Sequence, residues 1–403
     1  MHYKFPVINH IDDVLPHIES CDDFIVADRG THKIINYNSI SSDTFRPPVR
    51  NEDGSWDYSL ESLIRRECRG LIFDAVTGKI IRRPFHKFFN LNERFETMME
   101  HVSLESAEAE YVKLDGSMIS PFVTSDGTFR IGTKMGETDI ATTSAAILSI
   151  DTARACLNAI EDGYTPIFEF TSLYNRVVIR YDNPELRLTA LRHMITGDYM
   201  PIETNPFGFT QLVEKYPNTF NNMHDYIDHV TKLVGQEGVV VVWSDGSRIK
   251  IKGEHYVAIH KIKDEMLYER NVLPLVLGNQ LDDVIAYLDT GDKEQLIKYQ
   301  DNVTKWIHFV VAKLHEVIYQ SLVVDNNDRK TFALTDAPRL GPFSQVVFAE
   351  FDSWKTLSKN SIKQLLEPKV KNVMLKACNS NTSLAEFKKR NDGQFPITFN
   401  WNE

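Results

Sequence analysis

Lys113-Leu114-Asp115-Gly116-Ser117 places a lysine beside an Asp-Gly turn signal, a KxDGS element at the end of an apolar-rich segment. The shorter pattern KxxG means little, since Lys232–Gly235 and Lys250–Gly253 also match it. The residues that accompany Lys113 in chain order carry more. Upstream stand Glu67-Cys68-Arg69-Gly70 and Lys87-Phe88-Phe89-Asn90-Leu91-Asn92-Glu93. Downstream come Lys134-Met135-Gly136, Phe168-Glu169-Phe170, Glu237-Gly238 and Lys250-Ile251-Lys252. A lysine nucleophile must be neutral, yet its reference pKa is about 10.4, so at neutral pH about one in a thousand is free amine, a handicap of roughly 4 kcal/mol. Nearby cations and partial burial reduce that handicap. Lys250 and Lys252 are two apart on an expected strand and so share a face. There they can hold an α-phosphate and disfavour a third charge on Lys113. Glu237 offers a carboxylate for Mg²⁺, which bridges phosphate oxygens and neutralises a leaving pyrophosphate. Arg69 supplies a fork for a β- or γ-phosphate and Lys87 a point charge. Glu169 faces away from Phe168 and Phe170 on its strand, into a pocket where it can accept from ribose hydroxyls.

Other nucleotide-binding signatures fail. No GxG occurs, so the dinucleotide fingerprint is absent, and Gly127–Lys134 (GTFRIGTK) reads as a strand rather than a phosphate loop. The ordered set ECRG, KFFNLNE, KxDGS, FEF, EG and KIK resembles the RNA ligase 1 family of T-even bacteriophages. More broadly it resembles the covalent nucleotidyltransferases, the ATP-dependent ligases and capping enzymes. The resemblance runs from about Tyr37 to His260, and KFFNLNE is its most distinctive piece. A weaker echo is Arg329-Lys330-Thr331-Phe332-Ala333. It implies that Lys113 takes AMP from ATP as a phosphoramide, passes it to an RNA 5′-phosphate, and that a 3′-hydroxyl then displaces it. It assigns Tyr37, Arg69 and Lys87 to the triphosphate tail, Glu169 to ribose, Glu237 to the metal (Mg²⁺ or Mn²⁺), and Lys250 and Lys252 to the α-phosphate. Lys134 matches the family's next motif and is expected to contact the nucleotide. The family's helical C-terminal domain is associated with tRNA, so nicked tRNA is the implied substrate of an RNA repair reaction. The alternatives are a DNA ligase, a GTP-using capping enzyme, or an RNA-binding module that has lost catalysis.

The elements that must position this set are legible in outline. The chain has 403 residues, 42% hydrophobic and 25% charged, a globular composition for two domains. Its net charge is −11, and residues 266–403 carry 17 basic and 17 acidic side chains, so the whole deficit lies before them. That argues against indiscriminate nucleic-acid binding but allows a local basic groove. Four cysteines form no CxxC pair and thirteen histidines no HExxH motif, which excludes a zinc ribbon and argues against a disulfide framework. No apolar run reaches the length of a bilayer, and MHYKFPVINH lacks a signal-peptide core, so a cytoplasmic monomer without a membrane partner is expected, in the host cytoplasm if viral.

From Phe24 to Lys261 the pattern is strand-like. Asp115-Gly116, Asp126-Gly127 and Asp245-Gly246 each predict a hairpin turn. Strands are expected at Tyr111–Leu114, Ser117–Val123, Thr128–Thr133, Thr165–Thr171, Val177–Tyr181, Val239–Trp243 and Arg248–Lys252, with helical spacing over Thr138–Glu161. After residue 265 helical spacing dominates: Leu281–Leu288 stopped at Gly291, a longer helix through Val303, Trp306, Val310, Leu314 and Val317, and another over Ser361–Ala377, with an exposed loop at Asp325–Thr335. The expected fold is α+β, an antiparallel-sheet nucleotidyltransferase domain over 1–265 followed by an all-helical domain over 266–403.

Overall fold

The computed structural model describes residues 3–217, 220, 222–285, 288, 290–391 and 399. The fold is α+β. Two compact units divide at Met1–Ala258 and Ile259–Glu403. In chain order the strands of the first unit are β1 (Phe24–Asp28), β2 (His32–Tyr37), β3 (Val49–Arg50), β4 (Trp56–Asp57), β5 (Arg69–Asp74), β6 (Ile80–Arg82), β7 (Ala109–Lys113), β8 (Ser117–Val123), β9 (Phe129–Gly132), β10 (Tyr164–Thr171), β11 (Glu185–His193), β12 (Tyr199–Met200), β13 (Gly238–Val242) and β14 (Arg248–Lys252). They pair as sheets of order β1-β2-β5-β6, β12-β11-β10-β8-β9 and β14-β13-β7, with β3-β4 a small ribbon, and every pairing between these strands is antiparallel.

Each large sheet buries one face under a helix. Helix Leu60–Glu67, started by the Ser59 hydroxyl on the Ser62 amide, puts Ile64 into a core with Ile35, Leu71 and Phe73. Helices Asp139–Ala146 and Ile150–Glu161 deliver Ala141, Ala155, Cys156 and Ala159 to the core of Ile119, Phe168, Phe170 and Leu188. The expected helical stretch Thr138–Glu161 is thus two helices, because Ser149 caps the second at Thr152 and stops continuation of the first. Helix Met223–Thr231 covers Val239, Val241, Ile249 and Ile251 of the third sheet.

Two readings in this unit need correction. Asp115-Gly116 is not a hairpin turn: β7 pairs with β13, whereas β8 pairs with β9 and β10, so the chain crosses there from one sheet to another. Asp126-Gly127 and Asp245-Gly246 are hairpin turns, with Gly127 and Gly246 at φ near 80°. Val177–Tyr181 is a loop, because its Val178 and Ile179 amides are drawn to the Asp115 carboxylate at 2.7 Å instead of to a ladder.

Among its described residues the second unit holds helices and no strand. Its core gathers Val303, Trp306, Val310, Leu314 and Ile318 with Trp354, Ile362, Leu366 and Val370. Gly291 does not stop a helix but lies in the first turn of Thr290–Ile318, and the preceding helix spans Leu281–Ile285. The expected loop 325–335 is helical over Arg329–Thr335, because the Asp328 carboxylate caps the Thr331 amide. Thr290–Val324 is long and apolar enough by length and composition to cross a membrane, a property that a search for uninterrupted apolar runs passes over. Its buried side chains pack in the unit's own core. Cys21, Cys68, Cys156 and Cys378 are free.

Candidate active site

The sheet crossover builds the site. Lys113 ends β7, and Gly238, the first residue of β13, lies opposite both Lys113 on one side and Lys252 on the other. Glu237 immediately precedes Gly238, so its carboxylate falls between the two lysines. Lys113 Nζ donates to Glu237 Oε2 at 2.6 Å and Lys252 Nζ lies 2.9 Å from Oε1. Only glycine fits at 238: φ is 145° and a Cβ would stand 2.0 Å from the Ile251 carbonyl oxygen. Gly116 is required for a different reason. A Cβ there would meet the Phe170 carbonyl oxygen at 2.2 Å, so the crossing depends on close backbone approach to β10.

Lys250 and Lys252 point to one face of β14 while Ile249 and Ile251 are buried on the other. The segment Lys87–Glu93 lies alongside. The Lys250 amide donates to the Phe89 carbonyl at 3.0 Å and the Leu91 amide to the Lys250 carbonyl at 2.8 Å. Glu93 Oε2 accepts from the Asn90 amide and side chain, closing a turn that Asn92 completes at φ 62°. The distinctive KFFNLNE run therefore spends its polar residues on shape and delivers Lys87 and Phe88 to the site. ECRG divides similarly. Glu67 does not pair with Arg69; its fully buried carboxylate holds Arg83 at 3.0 Å and Arg192 at 2.8 Å, leaving Arg69 free to face the cavity.

That cavity is about 310 Å³ and brings together Tyr37, Arg69, Lys87, Lys113, Glu169, Lys250 and Lys252. Glu237 touches it through the two lysines. Lys134 is not on its lining and instead reaches the Tyr37 ring at 4.9 Å; Lys87 reaches the same ring at 5.5 Å. Burial would raise the Tyr37 phenol, but Lys87, Arg69 and Lys134 together hold it below its ordinary value. Burial pushes Lys250 down to about 7, helped by the charges of Lys87, Lys113 and Arg69. Burial also lifts Glu169 to about 7; Lys113 opposes that rise and Glu237 adds to it. Burial also lowers Lys87, while Lys113 is held in an ion pair with Glu237.

Sequence reasoning missed Phe85, Phe88, Met118 and Arg248, which also line the cavity. Arg248 was reachable: it shares the parity of Lys250 and Lys252 on β14. Phe88 lay inside a motif already singled out. Asp115 was missed as well. Its buried carboxylate takes the Val178 and Ile179 amides and the Tyr256 hydroxyl, each at 2.7 Å, and its amide donates to Tyr181 at 3.1 Å. No motif spacing announces those partners, which lie more than 60 residues away.

The arrangement is suited to binding a nucleoside triphosphate against a lysine nucleophile. Cations of three strands and one loop converge on a cavity with both polar and apolar walls. Among the described residues no group of three or more His, Cys, Asp or Glu side chains could hold a metal alone. Glu169 and Glu237 nevertheless interact across the same lysine, and a hard divalent cation needs only one or two carboxylates when phosphate oxygens complete its shell. The donor set fits a metal that arrives with a nucleotide.

Residues 67–267 match the sequence model of the RNA ligase family. Within that range lie every expected site residue except Tyr37. A protein of Thermovibrio ammonificans assigned as an RNA ligase is 32% identical over 247 residues, 57% of this chain and 62% of its own. RNA ligase 1 of bacteriophage TS2126 is 26% identical over 248 residues, 58% of this chain and 60% of its own. The chain thus spans less than two thirds of the length of these relatives. The solved structure of an archaeal ATP-dependent RNA ligase aligns with 74% of this chain and 78% of its own, at 13% identity and a TM-score of 0.43.

Proposed function

We propose that this chain is an ATP-dependent RNA ligase working through a covalent Lys113–AMP. The observation that carries the reading is Lys113 ion-paired to Glu237 on the wall of a cavity shared with Lys250, Lys252, Arg69 and Lys87. In the first step Lys113 Nζ leaves Glu237, sheds its proton to water at the cavity mouth, and attacks the α-phosphorus of ATP. A P–N bond forms, the bond to the bridging oxygen breaks and pyrophosphate departs. Lys250 and Lys252 hold the α-phosphate; Arg69, Lys87 and Tyr37 hold the tail, with Lys134 acting through Tyr37; Glu169 accepts from the ribose. In the second step an RNA 5′-phosphate oxygen takes the AMP, and the P–N bond breaks as lysine recovers a proton. In the third a 3′-hydroxyl attacks that 5′-phosphate and AMP leaves. Each step depends on positioning and charge neutralisation more than on acid–base help. Glu237 would hold Mg²⁺ or Mn²⁺, which would neutralise the developing pyrophosphate charge.

The second unit is proposed to recognise RNA, nicked tRNA in particular. A cavity of about 110 Å³ there is lined by Lys313, Arg339 and Arg390 with the exposed ring of Phe309 and without an acidic side chain, which suits phosphates beside a base. Within the family the motif order favours the branch of the T-even phage enzymes, and the working form proposed is a cytoplasmic monomer without a membrane partner. Incubation with α-labelled ATP and a divalent metal, followed by a denaturing gel and peptide mapping, tests the core of this reading. Acid-labile label on Lys113, absent from Lys113→Ala, is the expected result. Label that persists in Lys113→Ala sinks it, and label from GTP but not ATP would turn the reading to a capping enzyme.

A further inference from the structure

We infer that the loop 172–184, between β10 and β11, is a stacking platform for the unpaired base at an RNA end, with Tyr174 as the stacking ring. The inference rests on the ligase reading and adds a contact for the polynucleotide outside the ATP cavity. Tyr174 is 95% exposed and has no hydrogen bond or ring contact among the described residues. Tyrosine ordinarily buries much of its ring, so a ring held fully in solvent is a surface waiting for a flat partner. Leu173 and Val177 beside it are also exposed, which widens the apolar patch.

The loop that carries this ring is not slack. Asn175, the next residue, accepts from Ser117 Oγ at 3.0 Å and donates through Nδ2 to the Phe170 carbonyl at 2.9 Å. Val178 and Ile179 are tied to Asp115, and Tyr181 accepts from the Asp115 amide. Ser117 and Asp115 belong to the same KxDGS element as Lys113. The loop is therefore fixed to the nucleophile's own segment, while none of its residues lines the cavity. A loop so anchored loses little backbone freedom when its ring stacks, and every base offers a π-face. The same loop carries Arg176, whose Nε donates to the Val178 carbonyl at 3.2 Å, and Arg180, which is paired with Asp182 at 2.9 Å; both guanidinium groups keep further N–H donors with which to meet the adjoining phosphates. Base and phosphate are the two faces of a single-stranded RNA end.

The test uses the full chain with Tyr174→Ala and Tyr174→Phe. Lysyl-AMP formation from labelled ATP is expected to stay within about twofold of the parent in both. In sealing, Tyr174→Ala is expected to raise the KM of one RNA strand about tenfold and Tyr174→Phe to restore it, since stacking needs the ring and not the hydroxyl. Varying the 5′-phosphate strand and the 3′-hydroxyl strand separately assigns the end. In parallel, quenching of a 2-aminopurine placed at either RNA terminus reports stacking without catalysis; it is expected in the parent and in Tyr174→Phe and lost in Tyr174→Ala. If the parent takes no label but quenching still follows the Tyr174 ring, the platform stands and the ligase reading falls. If the parent is labelled and seals, while Tyr174→Ala keeps both KM values and the quenching, the platform is overturned.

Discussion

The first unit fills its interior with charge. Arg65, Arg66, Glu67, Arg82, Arg83, Arg192 and Arg248 are all buried there. The second unit buries Trp354, Phe332, Ile362 and Leu366, and few charged groups such as Glu269 and Asp292. Arg82 shows how far the first unit goes. Among the described residues its guanidinium has no acid partner; it donates to the carbonyls of Gly70, Thr133 and Ser120, while burial pulls it down to about 9. Desolvated charge costs several kcal/mol per ion unless it is well compensated. What it yields is direction: these groups clamp the segments that end in Arg69, Lys87 and Lys134. The helical unit needs shape alone, and apolar packing supplies that without directional bonds.

The contrast can be broken by experiment. Glu67→Gln should have the largest effect, because it leaves Arg83 and Arg192 buried without their carboxylate. About 3–5 kcal/mol of stability should vanish from the first unit in denaturant melts, together with nucleotide binding. A variant that melts like the parent would show that backbone carbonyls suffice for these cations. Trp354→Ala should remove about 3–5 kcal/mol from the second unit through its cavity, lowering one thermal transition while Lys113 still takes label. Loss of labelling there would mean that the helical unit supports the chemistry directly.

The smallest effect is the sharpest in sign. Lys250 in the empty cavity is lowered to about 7, so above that pH it is neutral when folded while the unfolded chain stays charged up to 10.5. The unfolded state then binds more protons, and this group makes stability rise with pH between 7 and 10.5. Glu169, raised to about 7 from 4.5, does the reverse and makes stability fall from 4.5 to 7. The ligand-free protein should accordingly show a stability minimum near pH 7. Anionic phosphate favours charged Lys250, so nucleotide affinity should fall as pH rises above 7, by up to about tenfold per unit. Calorimetry across pH 6.5 to 9 checks this; in Lys250→Arg the slope should flatten, and an unchanged slope would reassign the titration.

Much of the site was legible because its parts are strand residues of fixed parity. Lys250 and Lys252 had to share a face, and Glu169 had to oppose two phenylalanines, whatever the tertiary arrangement. Two Asp-Gly pairs turned as hairpins because a turn is a local event. The third did not, because Gly116 answers to a backbone 54 residues away on β10. Val177–Tyr181 failed as a strand for the same reason: its amides answer to Asp115 rather than to a neighbouring strand. The helical half was readable from periodicity but not its boundaries, since caps such as Ser149 and Asp328 interrupt patterns that hydrophobic spacing alone would continue.

Glu237, shared between Lys113 and Lys252, also governs what else this lysine can react with. An amine engaged by a carboxylate at 2.6 Å is less accessible to acyl donors and carbonyl compounds than an unpaired one. On the proposed reading, the nucleotide would have to displace Glu237 from Lys113 before that amine could react. Selective protection of one lysine is therefore built into the order β14-β13-β7, in which the strand that begins beside Glu237 runs between the two strands that end in Lys113 and Lys252.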